Sequence, residues 1–320
     1  MKILFTGGGT LGPVTPLLAV IEAWKSLDSQ FDFLWVGTPH GPERKLVEKA
    51  GVKFVHIPVF RLPRHPSIEW LLFPLRFFQA FVSAWWILRR YKPNLVASAS
   101  GFTSVPFVLL SRFMKIPSWI HQQDVVPILS SQLMAGFATS ITVAWPELLN
   151  HFPKKKTTLV GNPVRSSVLH GDAKRARAKF GFDESLPTAL VIGGGSGASW
   201  INKTMLEIGP ILTEKANVIH VTGLGKMIEG LETIGKNYHA VEFVSDEIAD
   251  MLALADIVIS RAGMGAITEY SALGKPAVLI PLPNSPQEKN AHLLSKEHAA
   301  IVFDQDSGAD QLRLLLENLL

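Results

Sequence analysis

The sequence predicts an α/β protein built from two doubly wound, Rossmann-like domains. One opening unit occurs twice: a buried strand, a glycine turn and a helix. Ile3-Leu4-Phe5 runs into Thr6-Gly7-Gly8-Gly9-Thr10-Leu11-Gly12, and an apolar helical pattern follows from Leu17 to Trp24. Ala189-Leu190-Val191-Ile192 runs into Gly193-Gly194-Gly195-Ser196-Gly197-Ala198, and a second helical pattern starts at Trp200. The composition agrees. With 320 residues, 47% apolar and 18% charged, the chain has room for about two domains with substantial cores and is not of the disordered class.

The elements between follow one rule. Phe33-Leu34-Trp35-Val36, Leu95-Val96-Ala97-Ser98, Ser118-Trp119-Ile120 and Ser140-Ile141-Thr142-Val143 read as strands of the first domain. Val218-Ile219-His220-Val221, Ile257-Val258-Ile259 and Ala277-Val278-Leu279-Ile280 read as strands of the second. Helical patterns alternate with them, which is the βαβ signature of a parallel sheet covered on both faces. The boundary is expected near Gly161-Asn162-Pro163, giving domains 1–163 and 164–320. Two such domains facing one another across a cleft form the architecture called GT-B.

Composition limits the chemistry. Cysteine is absent, so there is no disulfide framework, thiol nucleophile or cysteine-ligated metal. The ten histidines are scattered without His-Glu-x-x-His or paired-carboxylate spacing, so no metal site and no cofactor is expected. The net charge of +4 suits an anionic partner: nucleic acid, a phosphorylated ligand or an acidic membrane face. No basic face with interleaved aromatics appears outside residues 61–92, so nucleic acid is not an expected partner. The chain starts at once with a strand-like run, and nothing in it indicates export.

Glycine between strand and helix lets backbone N–H groups approach phosphate, and the helix N-terminus adds partial positive charge. Neither turn continues into Gly-Lys-Ser/Thr, so neither is a triphosphatase loop. One such turn alone is read equally well as tight packing; the pair favours a phosphate-bearing ligand.

Several stretches in order resemble the MurG family of N-acetylglucosaminyltransferases. They are Phe5 to Thr10, Trp35-Val36-Gly37-Thr38, His121-Gln122-Gln123-Asp124, Val160 to Arg165, Gly193 to Ala198, Ser260-Arg261-Ala262-Gly263, and Gln287 with Asn290-Ala291. The resemblance implies inverting transfer of N-acetylglucosamine from UDP-N-acetylglucosamine to the 4-hydroxyl of a polyprenyl-diphosphate-linked muramyl-pentapeptide, in peptidoglycan synthesis. It implies a donor held mainly by the second domain. Glu269 would accept hydrogen bonds from the ribose hydroxyls, Arg165 would neutralise the diphosphate, and Gln287, with Asn290 a turn later, would contact the sugar. Met264, Gly265, Ala266, Ile267 and Thr268 would present N–H groups to the diphosphate, and Val244 would meet the uracil edge. Thr10, Leu11 and Gly12, and Gly194, Gly195 and Ser196, belong to the two glycine loops of the same donor site. Without the resemblance, Glu269 reads as a first-turn helix acid and Arg165 as a surface charge or salt-bridge partner.

The departures from the family concern catalysis. The first loop reads Gly8-Gly9-Thr10-Leu11-Gly12-Pro13, with Pro13 where the family carries a histidine. Proline neither gives nor takes a proton and has no backbone N–H. The family's His-Glu-Gln-Asn motif becomes His121-Gln122-Gln123-Asp124. Asp124 is therefore the candidate base, and also a donor contact, with His121 as the alternative. Family members also continue beyond the last helical run here, Leu312 to Leu320, with a helix that crosses back to the first domain.

Trp70 to Leu88 is aromatic and apolar on most faces, with flanking Arg61, Arg64, Arg89, Arg90 and Lys92. Phe73, Phe77, Phe81 and Trp85 share one helical face, and Leu71, Leu75, Phe78, Val82 and Trp86 a second. Pro74 and Arg76 interrupt the run, which falls short of the ~20 apolar residues of a span. An interfacial segment is expected on one face, with Trp70, Leu71, Phe73, Arg76 and Phe77 touching an anionic inner membrane surface, while another face is half buried against the first domain's sheet. The protein would then be peripheral, on the cytoplasmic face. Other readings stay open: a GT-B transferase with another lipid acceptor or sugar nucleotide, a GT-B epimerase, or a degenerate binding protein.

Overall fold

Alternation along the first strand explains the first domain. β1 (Lys2–Thr6) places Ile3 and Phe5 on one face and Leu4 on the other, and all three are buried. Phe5 joins an aromatic stack with Trp24, Phe31, Phe33 and Trp35. Leu4 joins Leu34, Val36, Val96, Phe107 and Ile141 in the core on the opposite face. A strand buried on both sides reads as a continuous apolar run, as Ile3-Leu4-Phe5 does.

The computed structural model describes residues 1–27, 30–58, 69–194, 197–244 and 247–320, without the side chains of 69–73. It divides into two compact units, Met1–Pro163 and Val164–Leu320. After β1 the first unit runs through α1 (Thr15–Leu27), β2 (Asp32–Gly37), α2 (Glu43–Lys49), β3 (Lys53–His56) and α3 (Glu69–Tyr91). It continues with β4 (Leu95–Ser98), α4 (Val105–Phe113), β5 (Ser118–Gln122), α5 (Leu129–Ala135), β6 (Ser140–Val143) and β7 (Thr157–Leu159). The second unit holds α6 (Ser166–Leu169), α7 (Ala173–Phe180), β8 (Thr188–Ile192), α8 (Ser199–Leu212), β9 (Asn217–Val221), β10 (Tyr238–Val241) and α9 (Glu247–Leu254). It ends with β11 (Ile257–Ser260), α10 (Met264–Ala272), β12 (Ala277–Leu279), α11 (Pro286–Lys296), β13 (Ile301–Val302) and α12 (Ala309–Leu319).

Both sheets are parallel. Their orders are β3-β2-β1-β4-β5-β6-β7 and β10-β9-β8-β11-β12-β13. All nine interior strands coincide with runs predicted from sequence. The four edge strands, β3, β7, β10 and β13, were not predicted, and each is partly exposed along its length. An edge strand lacks one neighbour, so its sequence does not need the unbroken apolar run that signals an interior one. Each order reverses direction once, between β1 and β4 and between β8 and β11. Doubly wound sheets open a ligand crevice at the carboxyl ends of the strands flanking such a reversal.

The helix α3 packs differently from either predicted stripe. Among its described side chains, Ala80, Ala84 and Leu88 are buried, and they belong to the first core. Two alanines let the helix axis approach α4 closely. Phe78 is 65% exposed and Trp86 62%, and Leu75, Val82, Phe77 and Trp85 are exposed beside them. Arg76, Arg89 and Arg90 are exposed on the same helix. Among the described residues no helix is long and apolar enough to cross a membrane. Trp70, Leu71 and Phe73 have side chains outside the described residues, as do Arg61 and Arg64 altogether.

Candidate functional site

In the first unit three loops meet at the reversal. A Cβ on Gly7 would lie 3.2 Å from the Pro13 carbonyl oxygen and 3.5 Å from that of Ser100. One on Gly101 would lie 3.8 Å from the Gly8 nitrogen, and one on Gly12 would lie 3.5 Å from Gln123 Nε2. The loops after β1, β4 and β5 therefore pack on one another. The Leu11 carbonyl accepts the N–H groups of Val14 and Thr15, so Pro13 sits in the turn that launches α1. Thr10 is exposed, while Leu11 and Gly12 are half-buried.

The loop after β4 escaped the sequence reading. Ser100 holds a left-handed φ of 82°, which costs a non-glycine residue, and its hydroxyl lies 2.6 Å from that of Ser131. Gly101 N–H donates to Ser130 Oγ at 3.1 Å, and Ser104 Oγ donates to the Thr6 carbonyl at 2.9 Å. The available signal was Ser98-Ala99-Ser100-Gly101: small and hydroxyl residues with a glycine directly after a strand run.

His121 and Asp124 occupy different environments. His121 is buried, with Nδ1 2.9 Å from Thr142 Oγ1 and Nε2 3.0 Å from Asn162 Oδ1. Trp119 Nε1–H donates to the same Thr142 hydroxyl at 2.8 Å. The consistent assignment is a neutral ring: the hydroxyl donates to Nδ1, and Nε2–H donates to Asn162. Burial pushes the His121 pKa down from its usual range. With both nitrogens engaged, the ring has no lone pair left for a substrate hydroxyl. Asp124 stands half-buried on the loop after β5. Its backbone carbonyl accepts from Gln122 Nε2 at 3.0 Å, and the same amide reaches the Val126 carbonyl at 2.9 Å. Donation to two carbonyls requires an amide at position 122, a role an ionised glutamate cannot fill. Trp145 Nε1–H secures the Gln123 carbonyl at 2.9 Å.

At the second reversal, glycine is required for close approach. A Cβ on Gly193 would lie 2.5 Å from the Ala198 nitrogen, and one on Gly197 would lie 2.3 Å from the Thr222 carbonyl oxygen. Gly194 has φ 84° and its carbonyl accepts the Gly197 N–H at 2.9 Å. Gly195 and Ser196 lie outside the described residues. Asn202 Nδ2 holds the Thr222 and Lys226 carbonyls at 3.0 and 2.9 Å, while its oxygen meets His220 Nε2 at 3.1 Å.

After β11 the chain turns into α10, whose N-cap Gly263 supplies no side-chain cap. The first-turn N–H groups of Met264, Gly265 and Ala266 thus end the helix without side-chain acceptors at the positive end of its dipole. The side chains of Met264 and Ile267 are buried, so these positions can serve a ligand only through backbone. Thr268 Oγ1 donates to the Met264 carbonyl at 2.7 Å. Two buried residues brace the turn. Arg261 Nη1 donates to the carbonyls of Ile280 and Pro281 at 3.1 and 3.0 Å and to Gln305 Oε1 at 3.1 Å. Asn290 Nδ2 donates to the Ala262 carbonyl at 3.1 Å. Asn290 is 0% exposed, and through this bond its amide braces the α10 turn.

Glu269 lies in the second turn of α10, which corrects the alternative of a first-turn acid. Its Oε1 accepts from Arg165 Nε at 2.8 Å, the two side chains being 10% and 12% exposed. The two residues expected at ribose and diphosphate are therefore brought together. Gln287 opens α11 under the N-cap Ser285, and its Oε1 accepts the Leu282 N–H at 3.0 Å. Val244 is half-buried in the segment after β10.

Two glycosyltransferase family 28 models match the chain: the N-terminal domain over residues 3–143 and the C-terminal domain over 188–320. A relative from Bacillus anthracis, named UDP-N-acetylglucosamine--N-acetylmuramyl-(pentapeptide) pyrophosphoryl-undecaprenol N-acetylglucosamine transferase 2, is 34% identical over 99% of this chain and 91% of its own length. The chain belongs to the MurG family. A member from Lachnoclostridium phytofermentans is 36% identical over 88% of this chain and 78% of its own. The crystal structure of Acinetobacter baumannii MurG superposes with a TM-score of 0.68 at 24% identity, over 99% of this chain and 90% of that one. That likeness agrees with two Rossmann-like domains of the GT-B class. The positions where the sequence reading expects departures from the family, Pro13, Gln122 and Asp124, lie in the first unit, on the loop after β1, at the end of β5 and on the loop after β5.

Proposed function

We propose that the protein transfers N-acetylglucosamine from UDP-N-acetylglucosamine to the 4-hydroxyl of a polyprenyl-diphosphate-linked muramyl-pentapeptide, converting lipid I to lipid II in peptidoglycan synthesis. The observation that carries this reading is the donor constellation within the second unit. The uncapped N-terminus of α10, the Arg165–Glu269 pair on its second turn and the Gln287 amide at the head of α11 are the groups a nucleoside diphosphate sugar needs. The ribose diol donates to the Glu269 carboxylate, which Arg165 orients. The diphosphate takes N–H groups of Met264 to Ala266, and Gln287 meets the sugar hydroxyls.

The chemistry is a single displacement. The acceptor oxygen bonds to the anomeric carbon from the face opposite the diphosphate, the carbon–oxygen bond to UDP breaks, and configuration inverts. The proton of the attacking hydroxyl passes to a base, and Asp124 fills that role in the first unit. The α10 dipole stabilises charge growing on the departing diphosphate. The first unit takes the acceptor. The exposed Leu75, Phe78, Val82 and Trp86 of α3, with Arg76, Arg89 and Arg90, support peripheral binding to an anionic membrane surface where a polyprenyl acceptor resides.

The test is UDP release from UDP-N-acetylglucosamine with and without a short-chain lipid-linked muramyl-pentapeptide. Acceptor-dependent release supports the reading. Donor binding without release turns the reading towards another acceptor, and absence of both removes the donor assignment.

A further inference from the structure

We infer that Glu43 is a positioning residue of the first glycine loop: a resident carboxylate that sets Gly7 to Gly9, and the Thr10 to Pro13 stretch behind it, for the acceptor. This rests on reading the first unit as the acceptor side. Glu43 is 0% exposed, and a buried carboxylate is costly unless hydrogen-bonded. Its Oε1 accepts the Thr38 N–H at 2.7 Å and the Thr38 hydroxyl at 2.5 Å, and its Oε2 accepts the Gly9 N–H at 3.2 Å. Glu43 also opens α2, where the helix dipole favours negative charge.

The surroundings are cleared for this group. A Cβ on Gly8 would lie 2.2 Å from Glu43 Oε1, one on Gly41 would lie 1.8 Å from Oε2, and one on Gly37 would lie 3.0 Å from Oε1. The β1 turn and the β2–α2 connection both give up side chains around one carboxylate, Gly37 also making room for the Phe54 ring. The loop is held from its other end as well: Trp35 Nε1–H donates to the Gly7 carbonyl at 3.0 Å, and Gly7 N–H donates to the Val36 carbonyl at 3.3 Å. Gly9, at φ 84°, can then turn the chain towards Thr10 without strain.

One chemical consequence follows. A strand-to-helix glycine turn offers N–H groups to phosphate, yet here the Gly9 N–H already has an internal anion. A diphosphate at that N–H would face the carboxylate. Glu43 thus makes the turn a rigid support, and leaves recognition to the exposed Thr10 and the loops beside it.

The experiment uses the full chain and the variants Glu43→Gln and Thr38→Val. Steady-state kinetics with the short-chain acceptor are set beside donor affinity by calorimetry and the exchange rate of the Gly9 amide proton by NMR. Glu43→Gln keeps the volume but turns a donor NH2 towards an N–H partner, so acceptor KM should rise about tenfold while donor Kd stays within about twofold. Gly9 exchange should quicken about tenfold. Thr38→Val loses one hydroxyl donor and should shift acceptor KM the same way, by about threefold. An unchanged acceptor KM with faster Gly9 exchange overturns the inference, as does equal loss of acceptor and donor affinity in step with melting temperature. If the unmodified protein shows no acceptor-dependent release, the functional reading fails by itself. Gly9 exchange then decides alone: unchanged protection in Glu43→Gln overturns the anchoring role, and about tenfold faster exchange supports it.

Discussion

At the residue scale, the site divides into groups that face a ligand and groups that hold others in place. The family resemblance placed Asn290 with Gln287, while their one-turn spacing alone fits an ordinary surface helix. Burial separates them, since Asn290 points inward to the Ala262 carbonyl. His121 looked like a spare base, but both its nitrogens serve the protein. Asp124→Asn should lower acceptor-dependent UDP release by about 100-fold with donor affinity retained, measured by kinetics and calorimetry. Turnover like that of the unmodified protein would remove Asp124 as the base. Glu269→Ala should weaken donor binding at least about tenfold, and so should Arg165→Ala. Because the two residues bond directly, the double variant should cost less than the sum of the singles. Strict additivity in calorimetry would argue against their acting as one unit.

At the element scale, α3 shows why helical periodicity gives a face but not its partner. The sequence shows two bulky apolar stripes and one face half buried against the sheet, without saying which residues that face carries. The tertiary structure buries Ala80, Ala84 and Leu88, because small side chains permit close helix packing, and leaves Phe78 and Trp86 outside. Two substitutions separate these roles. Leu88→Ala should destabilise the protein by about 2–5 kcal/mol in denaturant unfolding, since it leaves a cavity in the first core. Phe78→Ser with Trp86→Ser should change stability by less than about 0.5 kcal/mol, because both side chains are exposed. The same pair should reduce co-sedimentation with anionic liposomes, and unaltered co-sedimentation would count against the membrane surface. The missed edge strands belong to this scale too: β13 has only Ile301 and Val302, both exposed, and so no sequence pattern to find.

At the scale of the whole molecule, each unit keeps a buried neutral histidine in its polar interior. Burial pushes His220 down to about 4 and lowers His121 in the same direction. An unfolded histidine titrates near 6.5. Between those values the unfolded chain binds more protons than the folded one, so stability falls as pH drops below about 6.5 and is flat above it. In that window His220 contributes a slope of about 1.4 kcal/mol per pH unit, and His121 acts in the same direction. Melting temperature should therefore decline from pH 7.5 to 5.5, and His220→Gln should flatten part of that decline. An equally steep decline in the variant would show that other groups govern it.

The sequence by itself determined the fold class, since every interior strand carries an apolar run that two covered faces demand. It also determined the glycine turns, and it supplied in order along the chain the residues proposed for the donor site. Tertiary structure alone decided which polar groups face outward. Glu43, Arg261 and Asn290 are polar residues that a sequence presents like any surface group, and only packing shows them buried and bonded. The partners of Glu43 at Gly9 and of Arg165 at Glu269 are 34 and 104 residues away, and hydrogen bonds at that separation leave no periodicity for sequence to display.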